Sequence, residues 1–379
     1  MVWIDCPFGN PIEKESERTR YLRVAEPDFD YPQSAMNEKD YQELSLLLSE
    51  GRKNIVIVTH KNPDGDAIGS SLGLCHMLNR AGHHGQVITP NDYPGFLKWL
   101  PGDKTVWRFE WTREKSSRAI AAADIIFCLD FNDFSRIEAL GEEVAKSPAM
   151  RILVDHHIDP AIPARYVYSD TQRIATSEMV YLLAEKTGLL PHLDKEGATC
   201  LYTGILTDSG QFAFPKTSAG THRIVASLLD LGVDNYEVYR HIYMNFAPSR
   251  LILLGEALSN LHFYTDCAAV CMTLTQDELD RGGFHKGDTE GFVNYGLTMR
   301  GINLSCIFVE NRGEGIIKVS LRSKGRFSVN DMAREFFFGG GHLNAAGGQL
   351  PYTDMQQAVA TFERAVTQYR QQILSSLEE

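Results

Sequence analysis

The chain has 379 residues, a formal net charge of −12 and 23% charged residues. This length suits two domains, each with its own hydrophobic core. The acidic balance argues against a protein that grips long duplex nucleic acid through a broad basic face. No apolar run approaches the roughly 20 residues that span a bilayer, so no membrane segment is predicted. The seven cysteines are scattered without a Cys-x-x-Cys pair, which favours reduced thiols and a cytoplasmic protein.

The first segment of the chain, residues 1–36, shows no clear periodicity and is rich in Pro, Glu and Asp. One interpretation is a loosely attached leader, with Met36 as an alternative start of translation. The other is an ordered arm that packs on the first domain or on a partner. The sequence leaves both open.

Apolar runs alternate with helical patterns from residue 54 to about residue 233. This alternation predicts βαβ units and therefore an α/β domain with a mostly parallel sheet flanked by helices. We assign this first domain to residues 37–240. The predicted strands are 54–59, 86–89, 124–130 and 151–155, and the main helices are 67–81, 176–186, 196–207 and 221–231.

A helical stretch over residues 236–261, broken near Pro248, predicts a linker at 241–264. Its apolar part, residues 252–261, is either core or the contact of a homodimer. The remaining residues, 265–379, have the pattern of a smaller α+β domain. Its predicted strands are 268–274, 303–309 and 316–322, and its predicted helices are 292–299, 329–336 and 354–374.

Polar groups that bind metals follow three of the predicted strands. His60, Asp64 and Asp66 come after the first strand, Asp130 ends another, and the tandem Asp155-His156-His157 ends a third. Ligands bind at the carboxyl ends of the strands in open parallel sheets. Carboxylate and imidazole together suit Mn²⁺, Fe²⁺, Co²⁺ or Zn²⁺. Helix capping would explain a single aspartate, but not this set.

Three of these positions carry more specific expectations. Asp130 could bridge two metals held about 3.5–4 Å apart. Neighbouring residues that leave a strand point to opposite sides, so one of His156 and His157 can ligate a metal while the other faces substrate. Asp208 closes a helical stretch, where the macrodipole disfavours negative charge and a cation would relieve it.

A glycine run at residues 339–341, followed by His342, has the character of an anion-binding loop. Glycine lets backbone N–H groups approach an anion closely, although a plain turn is the alternative. Arg322 and Ser323, with further basic residues nearby, would supply the cationic partner. A solvated strand end is the alternative there, and Arg300 is a lesser candidate for the same pocket.

The order of these motifs resembles the DHH phosphoesterase superfamily. The matching segments are N-P-D-G-D-A-I-G-S-S at 62–71, V-D-H-H at 154–157 and T-G-I-L-T-D-S-G at 203–210. G-G-G-H-x-x-A-A-G-G at 339–348 and S-L-R-S at 320–323 resemble the DHH-associated domain. The likeness spans about residues 37–375. It is most similar to the oligoribonuclease and pAp-phosphatase branch, whose relatives also cleave cyclic-di-AMP or its linear product.

This resemblance implies a site for two divalent metal ions, usually manganese. It implies His157 beside the substrate phosphate, and Asp155 as the residue that orients the histidines. The implied metal ligands are His60, Asp64 and Asp130 for one ion, and Asp66, Asp130, His156 and Asp208 for the other. The implied substrate contacts in the second domain are Arg322, Ser323, Gly340, Gly341 and His342, with Arg300 as the lesser candidate.

The function expected from the sequence is metal-assisted hydrolysis of phosphoesters, with water as nucleophile. An anion pocket on the second domain would limit substrate length, which favours pAp and short RNA. A pyrophosphatase or exopolyphosphatase and a cyclic-dinucleotide phosphodiesterase are alternative enzymes. A nucleotide sensor without activity is disfavoured because every expected ligand is present.

Overall fold

A computed structural model describes residues 36–352 and 354–376. Among these residues, the N-terminal part is built on a six-stranded sheet in the order β3-β2-β1-β4-β5-β6. Every neighbouring pair in this sheet is parallel. Its strands are β1 (Asn54–Thr59), β2 (His84–Thr89), β3 (Trp107–Arg108), β4 (Ile125–Leu129), β5 (Met150–Asp155) and β6 (Tyr166–Ser169).

Helices cover both faces of this sheet and lead into the second part of the chain. They are α1 (Glu38–Ser49), α2 (Gly65–Arg80), α3 (Phe109–Ala121), α4 (Ala139–Lys146), α5 (Thr176–Thr187), α6 (Lys195–Asp208), α7 (Ala219–Asp230), α8 (Asn235–Tyr243) and α9 (Pro248–Ser259). Short 3₁₀ turns lie at Gly95–Leu97, Asp103–Thr105, Phe134–Ile137 and Leu190–His192.

The core of the first sheet follows from the two-residue period of its strands. Ile55 and Ile57 of β1 are buried on one face, whereas Val56 and Val58 are buried on the other. Burial on both faces explains the continuous apolar runs, which are typical of parallel strands between helices. All these strands present their carboxyl ends at one edge of the sheet.

The second sheet contains residues from the C-terminal part, in the order β11-β12-β10-β9-β8-β7. Its β8–β9 pair is parallel and its other pairs are antiparallel. The strands are β7 (His262–Tyr264), β8 (Ala269–Leu274), β9 (Leu304–Asn311), β10 (Ile316–Ser323), β11 (Gly340–Gly341) and β12 (Ala345–Pro351). The helices are α10 (Gln276–Arg281), α11 (Phe292–Leu297), α12 (Val329–Phe336), α13 (Met355–Gln368) and α14 (Arg370–Ser375), and a 3₁₀ turn lies at Thr265–Cys267.

The expected fold class is confirmed: a parallel α/β sheet precedes a smaller mixed sheet with helices. Helices α8 and α9 lie where the linker is expected, with Pro248 as the first residue of α9. The domain boundaries at residues 37–240, 241–264 and 265–379 stay predictions. The expected leader lies outside the described residues, except for Met36, which packs in the first core.

Some elements were not anticipated from the sequence. Helix α3 buries only Phe109, Ser116 and Ile120, so its apolar period is weak. Strand β12 contains two glycines and no β-branched residue, which are poor signals for a strand. The glycine run is therefore not a plain turn but one arm of a β-hairpin, in which Gly340 pairs with Gly347.

Helix α9 has one buried face and one exposed face. On α9, Leu253 and Ala257 are buried, whereas Leu251 and Ile252 are exposed; a homodimer contact there stays a prediction.

In the described ranges, no helix has both the length and the apolar character needed to cross a bilayer.

Candidate active site

The first group of candidate ligands lies where β1 turns into α2. Asp64 caps α2, since its carboxylate accepts hydrogen bonds from the backbone N–H groups of Asp66 and Ala67, both at 3.0 Å. The Nε2 atom of His60 lies 3.8 Å from Asp64 and 3.5 Å from Asp130. Its Nδ1 atom is 2.9 Å from the carbonyl of Lys61. A proton on Nδ1 would leave the Nε2 lone pair facing the two carboxylates.

The second group shares Asp130 with the first. The Nε2 atom of His156 lies 3.4 Å from Oδ1 of Asp130 and 3.5 Å from Asp208. His60 faces the other oxygen of Asp130, Oδ2, so this carboxylate stands between the two histidines. Asp130 also adopts φ = 66° at the end of β4, a left-handed conformation that is unusual for a residue other than glycine.

Among the described residues, two of the groups that could hold a metal ion contain the members of the two implied ligand sets, except that Asp130 falls only in the first of them; the assignment of ligands stays a prediction. In each group, one ligand atom per residue lies within 4.8 Å of the others: His60, Asp64 and Asp130 form one, and Asp66, His156 and Asp208 form the other. Mixed oxygen and imidazole donors of this kind fit Mn²⁺ and its neighbours among the divalent ions.

A third arrangement surrounds His157. Its Nδ1 atom lies 2.7 Å from Oδ1 of Asp155, and Asp155 is fully buried. The second oxygen of Asp155 has no hydrogen-bond partner among the described residues. The carboxylate therefore fixes the orientation of the His157 ring and leaves its Nε2 atom turned away from Asp155.

Asp66 is held by a helix end that sequence reasoning missed. Its two carboxylate oxygens accept hydrogen bonds from the backbone N–H groups of Thr176 and Ser177, at 2.6 and 2.8 Å. The hydroxyl of Thr176 donates to Asp130 at 3.0 Å. Thus the first turn of α5 braces two candidate ligands, and the Thr-Ser pair that opens this helix was the available signal.

Close packing of α2 against α6 brings Asp66 and Asp208 to the same place. A Cβ on Gly69 would meet the carbonyl of Cys200 at 2.5 Å, and a Cβ on Gly204 would overlap the hydroxyl of Ser177. The two helices can approach this closely only because glycine occupies both positions. The sequence motifs around these glycines therefore serve the geometry of the site as well as its chemistry.

The carboxylates of the site repel one another. Burial and the charges of Asp130 and Asp208 raise the pKa of Asp66 well above its ordinary value. Burial raises the pKa of Asp208 to about 7, and Asp64 adds to this while His156 opposes it. Bound divalent cations would relieve this repulsion, so the electrostatics fit a metal site.

Asp130 and the two histidines behave in the opposite way. Burial would raise the pKa of Asp130, but hydrogen bonds with His156 and His60 hold it well below its ordinary value. Burial would lower the pKa of His60, but Asp130 and the charge of Asp64 raise it to about 9.

Comparison with known proteins decides the family. Residues 54–205 match the DHH family, N-terminal domain, and residues 268–368 match the DHHA1 domain. The chain is 33% identical over 341 residues to the bifunctional oligoribonuclease and PAP phosphatase NrnA of Thermus thermophilus. This alignment covers 89% of this chain and 96% of that protein. The chain belongs to the DHH phosphoesterase family.

Two solved structures are also similar to this DHH phosphoesterase. An exopolyphosphatase-related protein of Bacteroides fragilis is 40% identical and superposes with a TM-score of 0.85, over 88% of this chain and 98% of that one. The crystal structure of RecJ of Thermus thermophilus in complex with Mn²⁺ is 15% identical with a TM-score of 0.51, over 89% of this chain and 56% of that one. The second likeness shows a shared fold.

The DHHA1 part of the molecule reaches the candidate metal site through one hairpin. The ring of His342 stacks on that of His157 with 4.3 Å between centroids and lies 5.4 Å from the ring of His156. Burial and the charges of these two histidines lower the pKa of His342 to about 2. His342 is therefore a neutral imidazole at the meeting point of the two domains.

The expected cradle of free amide groups is not present at three positions of this hairpin. Gly339 donates its backbone N–H to Ala333, Gly341 donates to the side chain of Asn330 at 2.9 Å, and His342 donates to the carbonyl of Ala345. These glycines let the hairpin strands and α12 pack closely. A Cβ on Gly339 would overlap the carbonyl of Gly347.

The other expected substrate residues, Arg322, Ser323 and Arg300, lie in three different environments. Arg322 is half-buried and close enough to Asp208 for their charges to interact; burial lowers the pKa of Arg322, which Asp208 opposes. The hydroxyl of Ser323 donates to the carbonyl of Phe327, so it has a structural contact. Arg300 is exposed, and no hydrogen bond or ion pair among the described residues joins it to the metal ligands.

Lys216 is a cationic neighbour of the site that sequence reasoning missed. It lies in the loop after α6 and donates from Nζ to the carbonyl of Thr171 at 2.7 Å. Burial lowers the pKa of Lys216, and the charges of Asp208 and Asp170 oppose this. Its sequence context, Pro215-Lys216-Thr217, offered no signal.

Proposed function

We propose that this DHH phosphoesterase hydrolyses short oligoribonucleotides and 3′-phosphoadenosine 5′-phosphate (pAp), with two divalent cations, Mn²⁺ being the expected metal. The observation that carries the proposal is the pair of ligand groups that share Asp130 at the carboxyl edge of the first sheet. Support for the substrates comes from the Thermus thermophilus relative, which is named for both activities.

The two cations would have separate ligand sets with one common member. His60, Asp64 and Asp130 would hold one ion. Asp66, Asp130, His156 and Asp208 would hold the other. When bound, such a pair supplies a water of lowered pKa and offsets negative charge on the phosphoryl group.

The chain's own residues would bind and orient the phosphate. Asp155 fixes His157 through Nδ1, so the Nε2 atom of His157 is free to face a phosphate oxygen or the leaving group. The buried position of Asp155 strengthens this hydrogen bond, because water does not compete for it. The low dielectric also favours interaction between the imidazole and a developing negative charge.

The second domain would hold the far end of the substrate. His342 contacts His157 directly. The negative charge of Asp208 interacts with the positive charges of Arg322 and Lys216. Arg322 presents a planar guanidinium that suits a phosphate group. An anion pocket on this domain would limit the substrate to a few nucleotides.

Two other enzymatic activities share the metal chemistry. The Bacteroides fragilis relative is described as exopolyphosphatase-related, and cyclic-di-AMP hydrolysis is the alternative phosphodiesterase activity. Either activity would use the same proposed ligands of this chain, so it would differ from the proposal in what the second domain recognises. A substrate panel therefore separates them better than any ligand mutation.

The test is Mn²⁺-dependent hydrolysis of pAp, a two- to five-nucleotide RNA, pApA, cyclic-di-AMP and pyrophosphate, offered side by side. The double variant Asp155→Ala, His156→Ala is the blank. The double variant His262→Ala, Asp266→Ala is the matched control, because both residues are exposed in or beside β7, at the opposite edge of the second sheet. Turnover of pAp and short RNA by wild type and control, but not by the blank, supports the proposal. Turnover of pyrophosphate alone contradicts it.

A further inference from the structure

The imidazole of His156 lies between the candidate metal site and a neighbouring turn of the chain. Its Nε2 atom is 3.4 Å from Asp130 and 3.5 Å from Asp208. Its Nδ1 atom is 3.3 Å from the carbonyl oxygen of Arg173. A carbonyl oxygen only accepts hydrogen bonds, so Nδ1 carries the hydrogen in this contact. In the neutral ring, Nε2 then keeps its lone pair on the side of the two carboxylates.

The partner of His156 differs from the partners of the other two histidines of the site. The Nδ1 atom of His60 contacts the carbonyl of the next residue, Lys61. The Nδ1 atom of His157 contacts Asp155, two residues earlier. Those partners belong to the same short segment as the histidine they contact. The carbonyl that faces His156 is 17 residues further along the chain, so its position must be fixed by other contacts.

A turn over residues 170–173, between β6 and α5, carries this carbonyl. The backbone N–H of Asp170 donates to the carbonyl of Asp155, and the N–H of Arg173 donates to the carbonyl of Asp170, both at 3.2 Å. The Asp170 carboxylate accepts from the N–H of Gln172 at 2.9 Å and from Nε of Arg173 at 3.0 Å. These contacts fasten the start of the turn to the end of β5.

Glu178, in the first turn of α5, fastens the other end of the turn. Its side chain is only 2% exposed, and a carboxylate buried this deeply is costly unless it is paired. One of its oxygens accepts from Nη1 of Arg173 and the other from the backbone N–H of Ile174, both at 3.3 Å. Both contacts are to the residues that flank the carbonyl in question.

The peptide group between Arg173 and Ile174 connects Glu178 to His156. The C=O of Arg173 and the N–H of Ile174 belong to the same planar unit, so a partner that fixes the N–H also fixes the carbonyl. The contacts therefore run from the Glu178 carboxylate through this peptide group to Nδ1 of His156. Hydrogen bonds in such a series polarise one another. A carboxylate at the far end makes the imidazole a better electron-pair donor at Nε2.

We infer, resting on the proposed function, that Glu178 is a positioning residue for the ion that His156 would hold. Acting through the Arg173–Ile174 peptide group, it keeps the hydrogen of His156 on Nδ1 and the lone pair of Nε2 directed at the site. It thereby raises the affinity for this ion. The ion of the His60 group does not depend on it, because the Nδ1 partner of His60 is local.

The test is calorimetric titration of the metal-free protein with Mn²⁺, which measures the affinity for each ion. Glu178→Gln keeps the size of the side chain and removes its charge; it should weaken one ion about tenfold, within the range typical of groups that orient metal ligands. Asp208→Asn and Asp64→Asn identify the two ions, and the ion weakened in Glu178→Gln should be the one weakened in Asp208→Asn. Glu185→Gln is the matched control, because Glu185 is exposed on the same helix; it should leave both affinities unchanged.

Two further measurements separate positioning of His156 from stability of α5. In the Mg²⁺-loaded protein, the Nδ1–H proton of His156 should give an NMR signal, identified by its loss in His156→Ala, that exchanges with water faster in Glu178→Gln than in the Glu185 control. Asp170→Asn changes a less buried side chain, 14% exposed, and loses the contact with Nε of Arg173. It should weaken the same ion by a smaller factor.

Selective weakening of the ion identified by Asp208→Asn, with faster exchange of the Nδ1–H proton, supports the inference. Equal weakening of both ions overturns it, as does a proton that exchanges as slowly as in the control, while the proposed function stands. If Glu178→Gln does not fold, Asp170→Asn decides by the same two readouts. A wild type that binds fewer than two Mn²⁺ ions, or that hydrolyses neither pAp nor short RNA, overturns the proposed function itself.

Discussion

The imidazole of His342 stacks on the imidazole of His157 with 4.3 Å between the ring centroids and 28° between the ring planes. One ring belongs to the glycine-rich hairpin of the second sheet and the other to the end of β5 in the first. Through this pair, the part of the molecule expected to hold the substrate touches the part expected to hold the metals. We therefore expect the hairpin, and not only the proposed metal ligands, to affect activity.

His342→Ala should lower kcat/KM on short RNA at least tenfold and leave Mn²⁺ binding near the wild-type value. His342 contacts His157 from outside the two proposed ligand groups that hold His60 and Asp66, so we expect its loss to weaken the proposed substrate contact and to spare the metal ions. Steady-state kinetics and calorimetric titration with Mn²⁺ measure the two effects separately. Leu343→Ala is the neighbouring control, because Leu343 is exposed. A parallel loss of metal binding would show that His342 is a ligand.

Thr176→Val should weaken Mn²⁺ binding about tenfold, within the range typical of groups that orient metal ligands. Valine keeps the shape of threonine but loses the hydroxyl that donates to Asp130 at 3.0 Å. Thr187→Val on the same helix is the matched control, since that hydroxyl donates to the carbonyl of Leu183 instead. Equal effects of the two substitutions on Mn²⁺ affinity would mean that helix stability, and not Asp130, explains the loss.

The structure brings the candidate ligands together, and the sequence could anticipate this because strand ends can be recognised in it. Apolar runs followed at once by His60, Asp130 or Asp155 place those residues at one sheet edge, and parallel pairing then brings them together. Neighbours from distant segments are not readable in this way. Thr176 and Lys216 reach the site only because α5 and the loop after α6 fold back over it.

The glycine-rich hairpin shows a different limit of sequence reasoning. Glycines are compatible with an anion cradle, a turn or close strand packing, and only tertiary contacts decide among them. Here the N–H of Gly341 is used by Asn330, and Gly339 lies against Gly347. The family resemblance located the segment correctly, but the backbone contacts had to come from the structure.

Gly204→Ala should destabilise the protein by about 1–3 kcal/mol, the usual range for overpacking a core, and should weaken Mn²⁺ binding as well. The added methyl would overlap the hydroxyl of Ser177 on α5 and lie 2.8 Å from Asp66 on α2, so α6 must shift away from both helices. Chemical denaturation and Mn²⁺ titration measure the two effects. Gly255→Ala is the control, because nothing lies within 4 Å of its Cβ position; it should be neutral or slightly stabilising. Unchanged Mn²⁺ affinity in Gly204→Ala would show that Asp66 tolerates the shift.

Mn²⁺ binding should tighten as pH rises from about 6.5 to about 9 and should release protons. Hydrogen bonding to Asp130 and the charge of Asp64 outweigh burial and raise the pKa of His60 from 6.5 to about 9 in the metal-free protein. A metal needs the lone pair that the proton occupies, so the proton must leave. The free energy of unfolding of the metal-free protein changes with pH in the opposite direction. Because the pKa of His60 is raised in the folded protein, the stabilisation by charged His60 is complete below pH 6.5 and is lost as the pH rises through about 9.

Calorimetric titration in two buffers of different ionisation enthalpy counts the protons released. At pH 7, His60→Ala should release about one proton fewer than wild type on binding the same metal, whereas His262→Ala, an exposed histidine at the far edge of the second sheet, should release the wild-type number. Metal-free wild type should also lose thermal stability between pH 7 and pH 9.5 more steeply than His60→Ala does, because the wild type carries His60, whose raised pKa is titrated in that range, in addition to His156, whose pKa is also raised and which both proteins keep. Equal proton release by His60→Ala and wild type at pH 7 would mean that His60 is already neutral in the metal-free protein.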